Sequence, residues 1–301
     1  MKKQKIARLC AWYLGIFFFC AAPTCTEIAS NPLKQQQQQV ETQNTKPIPR
    51  QQILQELVKA DVVYLGETHT SQEDHQAQLE ILKELYQKNQ KIALAMEMFQ
   101  RPYQEILDQY LAGKITEVQL VEQSEYEQRW GFAWEYYAPI LRFAKAKQLP
   151  VIALNAPTEV TRKVARNGIE SLTVAEQRYI PPLSEIRTDN DDYRQIIKES
   201  YAQHNQAGHG NSDSLERFFT VQVLWDETMA DSIAKFIKAN PDYQVVVMAG
   251  QGHIAYGYGI PSRVARRFNN QLQQRTVLLG FSTDEQVQGE KKIADFFWPH
   301  H

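Results

Sequence analysis

The sequence predicts an α/β fold, with a mostly parallel central sheet flanked by helices and a helical lobe on one side. Three observations lead there. Short runs of four or five consecutive apolar residues recur, and they alternate with longer segments whose apolar residues repeat at helical spacing. The runs are apolar throughout, as strands are when helices cover both sheet faces. At 301 residues, 43% of them hydrophobic and 23% charged, the chain has material for one large core.

The elements follow in order. Gln51 to Ala60 reads as a short helix after Pro49. Asp61-Val62-Val63-Tyr64-Leu65 is an apolar run stopped by Gly66, hence a buried strand. Gln76 to Gln90 places Leu79, Leu82 and Tyr86 on one helical face. Ile92 to Met96 is the second strand, and Pro102 to Leu111 and Glu135 to Lys147 are helices. Pro150 to Leu154 is the third strand. Helices at Pro157 to Arg166, Tyr193 to Gln203 and Leu215 to Ala239 follow. Gln244 to Met248 is the fourth strand, and Thr276 to Leu279 closes the series. The stretch from 101 to 239, interrupted by the third strand alone, is expected to form the lobe.

The amino terminus reads as an address. Lys2, Lys3, Lys5 and Arg8 precede an apolar segment, Leu9 to Cys20, and then the small-residue region Ala21 to Cys25. That is the order of a secretory signal, and the apolar run is short for a bilayer span. Residues 1–24 are therefore expected to be a signal peptide. Cys25 is the candidate for lipidation, with cleavage at Cys20 and plain cleavage left as alternatives. Residues 25–48, with the homopolymer Gln35 to Gln39, read as a disordered linker, and 49–301 as the folded domain. Loss of the signal removes four basic residues and no acidic one, which takes the formal charge from −2 to −6. Neither value gives an electrostatic reason to expect nucleic acid as a partner.

Cys10, Cys20 and Cys25 all precede residue 26. The body therefore holds no thiolate chemistry, and its candidates are His, Tyr, Asp and Glu. They gather where strands end, which is where ligands bind in open α/β sheets. Glu67 and His69 follow the first strand, Glu97 the second, Asn155 the third, and His253, Tyr256 and Tyr258 the fourth. If the strands are parallel, Glu67, His69, Glu97 and His253 converge on one rim. The plainer readings are that Glu67 and His69 cap the next helix, and that Glu97 pairs with Arg101. Gly250, Gly252, Gly257 and Gly259 in one strand-exit loop favour close backbone approach to something bound. Gln222 and Asp226 interrupt the apolar stripe of the long helix, as part of a core network or as a pocket wall. His75 is expected to be solvated. His204 and His209 fall in a loop, and His300 is near the end of the chain.

Leu65-Gly66-Glu67-Thr68-His69 and Gly250-Gln251-Gly252-His253 form a pair of Gly-x-x-His motifs. Together with Ala95 to Phe99, Leu224 to Ala230 and Gly257 to Arg263, they resemble the ChaN family of haem-binding lipoproteins. That family lies in the wider Tiki, TraB and erythromycin-esterase superfamily. The resemblance runs from about residue 50 to residue 280. It implies haem as cofactor, a role in haem or iron uptake at the bacterial cell envelope, and membrane anchoring through lipid. It also implies a homodimer holding two haems face to face, with iron ligated by tyrosine. Tyr256 and Tyr258 are the candidate ligands, with His253, His69 and Glu67 beside them and Arg263 as a propionate partner. The hydrolytic members of the superfamily support the alternative. There Glu67, His69, Glu97 and His253 would be acid/base or metal-binding residues, with a divalent ion or a metal-free general base activating water.

Overall fold

The computed structural model describes residues 48–206, 215–281 and 292–300. The expected signal segment with Cys25, residues 25–47 of the expected linker, and His209 lie outside the described residues.

Six strands form one sheet in the order β3-β2-β4-β1-β5-β6, and every pairing is parallel. They are β1 Val62–Glu67, β2 Ile92–Gln100, β3 Val151–Asn155, β4 Gln244–Gly250, β5 Gln274–Leu279 and β6 Phe296–Trp298. The chain leaves β1 toward one edge of the sheet and leaves β4 toward the other. These two strands are neighbours, with Glu67 paired to Gly250. The direction of winding thus reverses between them, and the crevice beyond their carboxyl ends is the favoured place for a ligand.

Strand residues alternate between two cores, as the period of two dictates. Val63 and Leu65 of β1, Leu94 and Met96 of β2 and Val246 and Met248 of β4 face one cluster. Helices Arg50–Leu57, Gln72–Lys88 and Trp134–Ala146 cover it. Val62, Tyr64, Ala93, Ala95, Val245 and Val247 face the other, beneath helices Leu215–Ala239 and Ile260–Arg267. Helix Gln72–Lys88 is capped by Ser71, whose side chain accepts from the Asp74 amide. It buries Ile81, Leu82 and Leu85 completely, each worth roughly 1.5–3 kcal/mol by area removed from water.

The stretch from 101 to 239 does not stay on one side. Its first part, through Ala146, packs on the same face as helix Gln72–Lys88. Helices Thr158–Asn167 and Asp191–Gln206, with the start of helix Leu215–Ala239, form the lobe around two smaller clusters. Among the described residues, no helix is long and apolar enough to cross a membrane.

Several boundaries differ from expectation for local reasons. β1 runs through Gly66, which stays paired to Ala249 and Leu278, and a Cβ there would sit 2.7 Å from Leu278 Cδ2 and 3.3 Å from Gln251 Cα. β2 continues to Gln100, with a register shift against β3 after Met96, so Glu97 lies within the strand. Helix Glu117–Gln123 and the single turn Val174–Gln177 went unpredicted although each opens with a capping box, at Thr116 and Thr173. β6 and helix Ile260–Arg267 were also unforeseen.

Candidate functional site

The structure brings Glu67, His69, Glu97 and His253 together around Gly250, at the end of β4. A Cβ on Gly250 would sit 2.9 Å from the His69 ring and 3.7 Å from Glu97 Oε2. Glycine here is a matter of space, since the backbone must pass between an imidazole and a carboxylate.

By strand parity, Glu67 leaves β1 on the face of Leu65. Its Oε1 lies 2.9 Å from His69 Nδ1 and accepts from the Tyr137 hydroxyl at 2.5 Å. Its Oε2 accepts from Gln78 Nε2 at 2.6 Å. His75, expected in solvent, is buried instead. It binds the His69 carbonyl at 3.1 Å and approaches Glu67 Oε2 at 3.5 Å. The reason lies in the helix start. Ser71 is the cap, which leaves Glu67 and His69 out of that role and turns His75 and Gln78 inward on one helical face. Burial resists ionisation of Glu67, but His69, His75 and Tyr137 outweigh it and lower its pKa.

Glu97 leaves β2 on the opposite face. Its Oε2 accepts from the Gly250 amide at 2.8 Å, and its Oε1 lies 3.4 Å from His253 Nε2. The other nitrogen of His253, Nδ1, lies 2.7 Å from Asp226 Oδ1 and 3.2 Å from the Gln222 amide. Asp226 Oδ2 accepts from the Tyr193 hydroxyl at 2.6 Å. The interruption of the long helix's apolar stripe is thus a buried polar chain. Burial alone would lower the pKa of His253, yet the two carboxylates push it up to about 10. Against the same burial, His253 and His69 hold Glu97 down at about 2. Arg101 does not pair with Glu97. It is bound by Asp231, Ser232 and two carbonyls.

This donor set does not match the expected divalent cation. His253 directs both nitrogens at carboxylates, and His69 directs Nδ1 at Glu67. Among the described residues, no three His, Cys, Asp or Glu side chains are placed to hold a metal ion.

Tyr256 and Tyr258 lie half-buried at the loop that follows, rings stacked at 5.7 Å and 19°. Tyr258 donates to Asp192 at 3.2 Å. Tyr256 adopts φ 58° and ψ 3°, a left-handed conformation costing about 1–3 kcal/mol in a bulky residue. Arg263 is buried among internal partners. It donates to the carbonyls of Tyr258 and Gly259 and lies 3.4 Å from Glu227. Arg266 and Arg267 also pair with Glu227.

Sequence reasoning missed two indoles. A small cavity at the ends of β2 and β3 is lined by Gln100, Arg129, Trp130, Asn155, Thr158 and Trp225, among others. Trp130 packs edge-on to His69 at 4.8 Å, and Trp225 lies edge-on to His253 at 6.4 Å. Neither sits at a strand exit, so the rule that found the other residues passes over them.

A family model described as haem-binding uptake, Tiki superfamily, ChaN matches residues 53–264. Among curated proteins, the chloroplastic protein RETICULATA-RELATED 5 of Arabidopsis thaliana is 26% identical over 263 residues. That alignment covers 83% of this chain and 35% of the relative, so the chain spans about a third of the relative's length. Among solved structures, ChaN of Campylobacter jejuni, described with cofacial haem binding, superposes with a TM-score of 0.64 at 19% identity. The match covers 84% of this chain and 92% of that one. An erythromycin esterase, EreC, in an open conformation aligns with a TM-score of 0.45 at 14% identity, over 75% of this chain and 72% of that one.

Proposed function

The chain belongs to the ChaN haem-binding uptake family of the Tiki superfamily, and we propose on that premise that it binds haem beside the β4 exit loop. The observation that carries this reading is the family match across residues 53–264, which takes in strands β1 to β4, the buried imidazoles and the tyrosine loop. The residues fit the group in their donors. Two half-buried phenols, Tyr256 and Tyr258, stand together at the rim, and a phenolate is a hard oxygen donor suited to ferric iron. When bound, haem would supply the ferric centre and a planar conjugated face. The chain would supply tyrosine oxygen for the iron, with buried His253 in the same exit loop and His69 and Glu67 beside Gly250 at its start. Propionate pairing by Arg263 does not enter this reading, because that guanidinium is held by internal partners.

The setting we propose is an exported protein in haem or iron uptake at the cell envelope. Residues 1–24 would be removed, Cys25 would carry lipid to a bacterial membrane, and residues 25–48 would tether the domain, residues 49–301. Pairing of two chains would bring two haems face to face. Titrating the apo-protein with hemin while following the Soret band tests the binding. A saturable shift near one haem per chain is expected, and no saturable shift would sink the reading. Tyr256→Phe and Tyr258→Phe separate ligand from neighbour, the ligand being the one whose loss moves the Soret maximum.

One observation favours a second reading, metal-free hydrolysis. His69 is held by one carboxylate, with Nδ1 2.9 Å from Glu67, the arrangement of an oriented general base. Turnover of an ester panel that persists in Glu67→Gln or His69→Gln would remove that reading.

A further inference from the structure

We propose that Asp226 is a positioning residue for the tyrosine pair, setting the strained loop from His253 to Gly259 without itself reaching the ligand. This rests on the haem reading for its purpose, and on the loop's own geometry for its substance.

Tyr256 and Gly257 take φ of 58° and 68° in succession. A bulky residue does not rest there unless its surroundings hold it. On the outer side the Tyr256 amide donates to the Ile293 carbonyl at 2.6 Å. On the inner side the loop closes around one carboxylate. At its start, His253 Nδ1 lies 2.7 Å from Asp226 Oδ1. At its end, a Cβ on Gly259 would sit 3.0 Å from the same oxygen and 2.2 Å from the His253 carbonyl oxygen. The two ends of the loop therefore touch each other and Asp226 at once.

The second oxygen extends the hold. Asp226 Oδ2 accepts from Tyr193 at 2.6 Å and lies 3.9 Å from Arg263 Nη1. Arg263 in turn donates to the carbonyls of Tyr258 and Gly259, and Tyr193 packs 6.3 Å from the Tyr258 ring. One fully buried carboxylate on helix Leu215–Ala239 thus fixes where the loop starts, where it ends, and the ring that Tyr258 rests on. Stacking of the side chains at positions 256 and 258 follows from the kink between them. Asp226 has no exposed surface, so it acts on a ligand through the groups it holds, His253 and the tyrosine loop.

The test compares Asp226→Asn with wild type in two measurements. In the apo-protein, amide hydrogen exchange at Tyr256, Gly257 and Gly259 is expected to speed about tenfold, with β1 amides unchanged, since a hydrogen bond to a buried charge is lost. With hemin, Asp226→Asn is expected to weaken binding about tenfold and to alter the ferric EPR spectrum. In the double variant Tyr256→Phe, Tyr258→Phe it is expected to add no further loss, the mark of action through the tyrosines. Unchanged loop exchange, or a hemin loss that adds in full to that of the double variant, overturns the proposal. Should wild type bind no hemin, the haem reading falls and the exchange measurement still decides the positioning. Should Asp226→Asn fail to fold, Tyr193→Phe carries the same test with an exchange effect of about threefold.

Discussion

Glu67 and Glu97 leave strands on either side of β4, on opposite faces of the sheet, and are satisfied in different ways. Glu67 is met by a tyrosine hydroxyl, a glutamine amide and two imidazoles, His69 and, at 3.5 Å, His75. Glu97 is met by a backbone amide and an imidazole that a second carboxylate, Asp226, also holds. A carboxylate accepts and does not donate, so an imidazole facing one at each nitrogen must carry both protons. His253 is therefore a fixed cation, and the three groups together form an ionic clamp across β2, the β4 exit and the long helix. His69 bonds one carboxylate, Glu67, and turns its other edge toward Gly250; against burial, the charges of Glu67 and Glu97 raise its pKa as well. What separates the two rings is that His253 meets a carboxylate at each nitrogen and His69 at one.

The largest expected effect separates the two sites directly. His253→Ala leaves Glu97 and Asp226 buried without their shared cation, which costs about 3–5 kcal/mol when one partner of a buried pair is removed. His69→Ala leaves Glu67 with Tyr137, Gln78 and His75, and is expected to cost about 1–3 kcal/mol. Urea unfolding at pH 7 measures both. Equal losses would break the distinction between clamp and pair.

The pH profile sharpens the same comparison. His253 has a folded pKa raised from 6.5 to about 10, so its contribution is complete below 6.5 and lost as pH rises through about 10. Glu97 has a folded pKa lowered from 4.5 to about 2, so its contribution is complete above 4.5 and lost as pH falls through about 2. Wild type should exceed His253→Gln in stability by the greatest margin between pH 4.5 and 6.5, with the margin shrinking on both sides. A margin that stays flat to pH 11 would mean that His253 does not carry the charge.

The sheet was readable in the sequence because buried parallel strands are apolar on both faces, and Val62 to Leu65 and Gln244 to Met248 are runs rich in β-branched residues and too short for helices. The strand-exit rule then brought Glu67, His69, Glu97 and His253 to one place. What stayed hidden depends on packing between distant segments. The burial of His75 follows from where Ser71 starts a helix. The partner of Glu97 is His253 and not the nearby Arg101, since Arg101 is drawn to Asp231 across the sheet end. β6 is three residues long, too brief for any periodicity to show. Trp130 reaches His69 from a helical segment that no strand-exit rule inspects.

The finest comparison, a single hydroxyl on each side, tests the two tyrosines that finish the two networks. Tyr137→Phe and Tyr193→Phe each remove one hydroxyl donated to a buried carboxylate, and each is expected to cost about 1.5–3 kcal/mol at neutral pH. Their pH signatures should differ. Burial works to raise the pKa of Glu67, and the Tyr137 hydroxyl is one of the groups that lower it. Deleting that hydroxyl raises the folded pKa of Glu67, so its stabilising share is lost at a higher pH as the solution is acidified. Tyr193 does not touch Glu67, and its deletion should leave that acid limb in place while loosening the loop at Tyr256. Urea midpoints at pH 7 and pH 4 read the difference. Tyr137→Phe should lose more stability than wild type on going from pH 7 to 4, and a loss equal to that of wild type would mean that the hydroxyl does not hold the Glu67 charge.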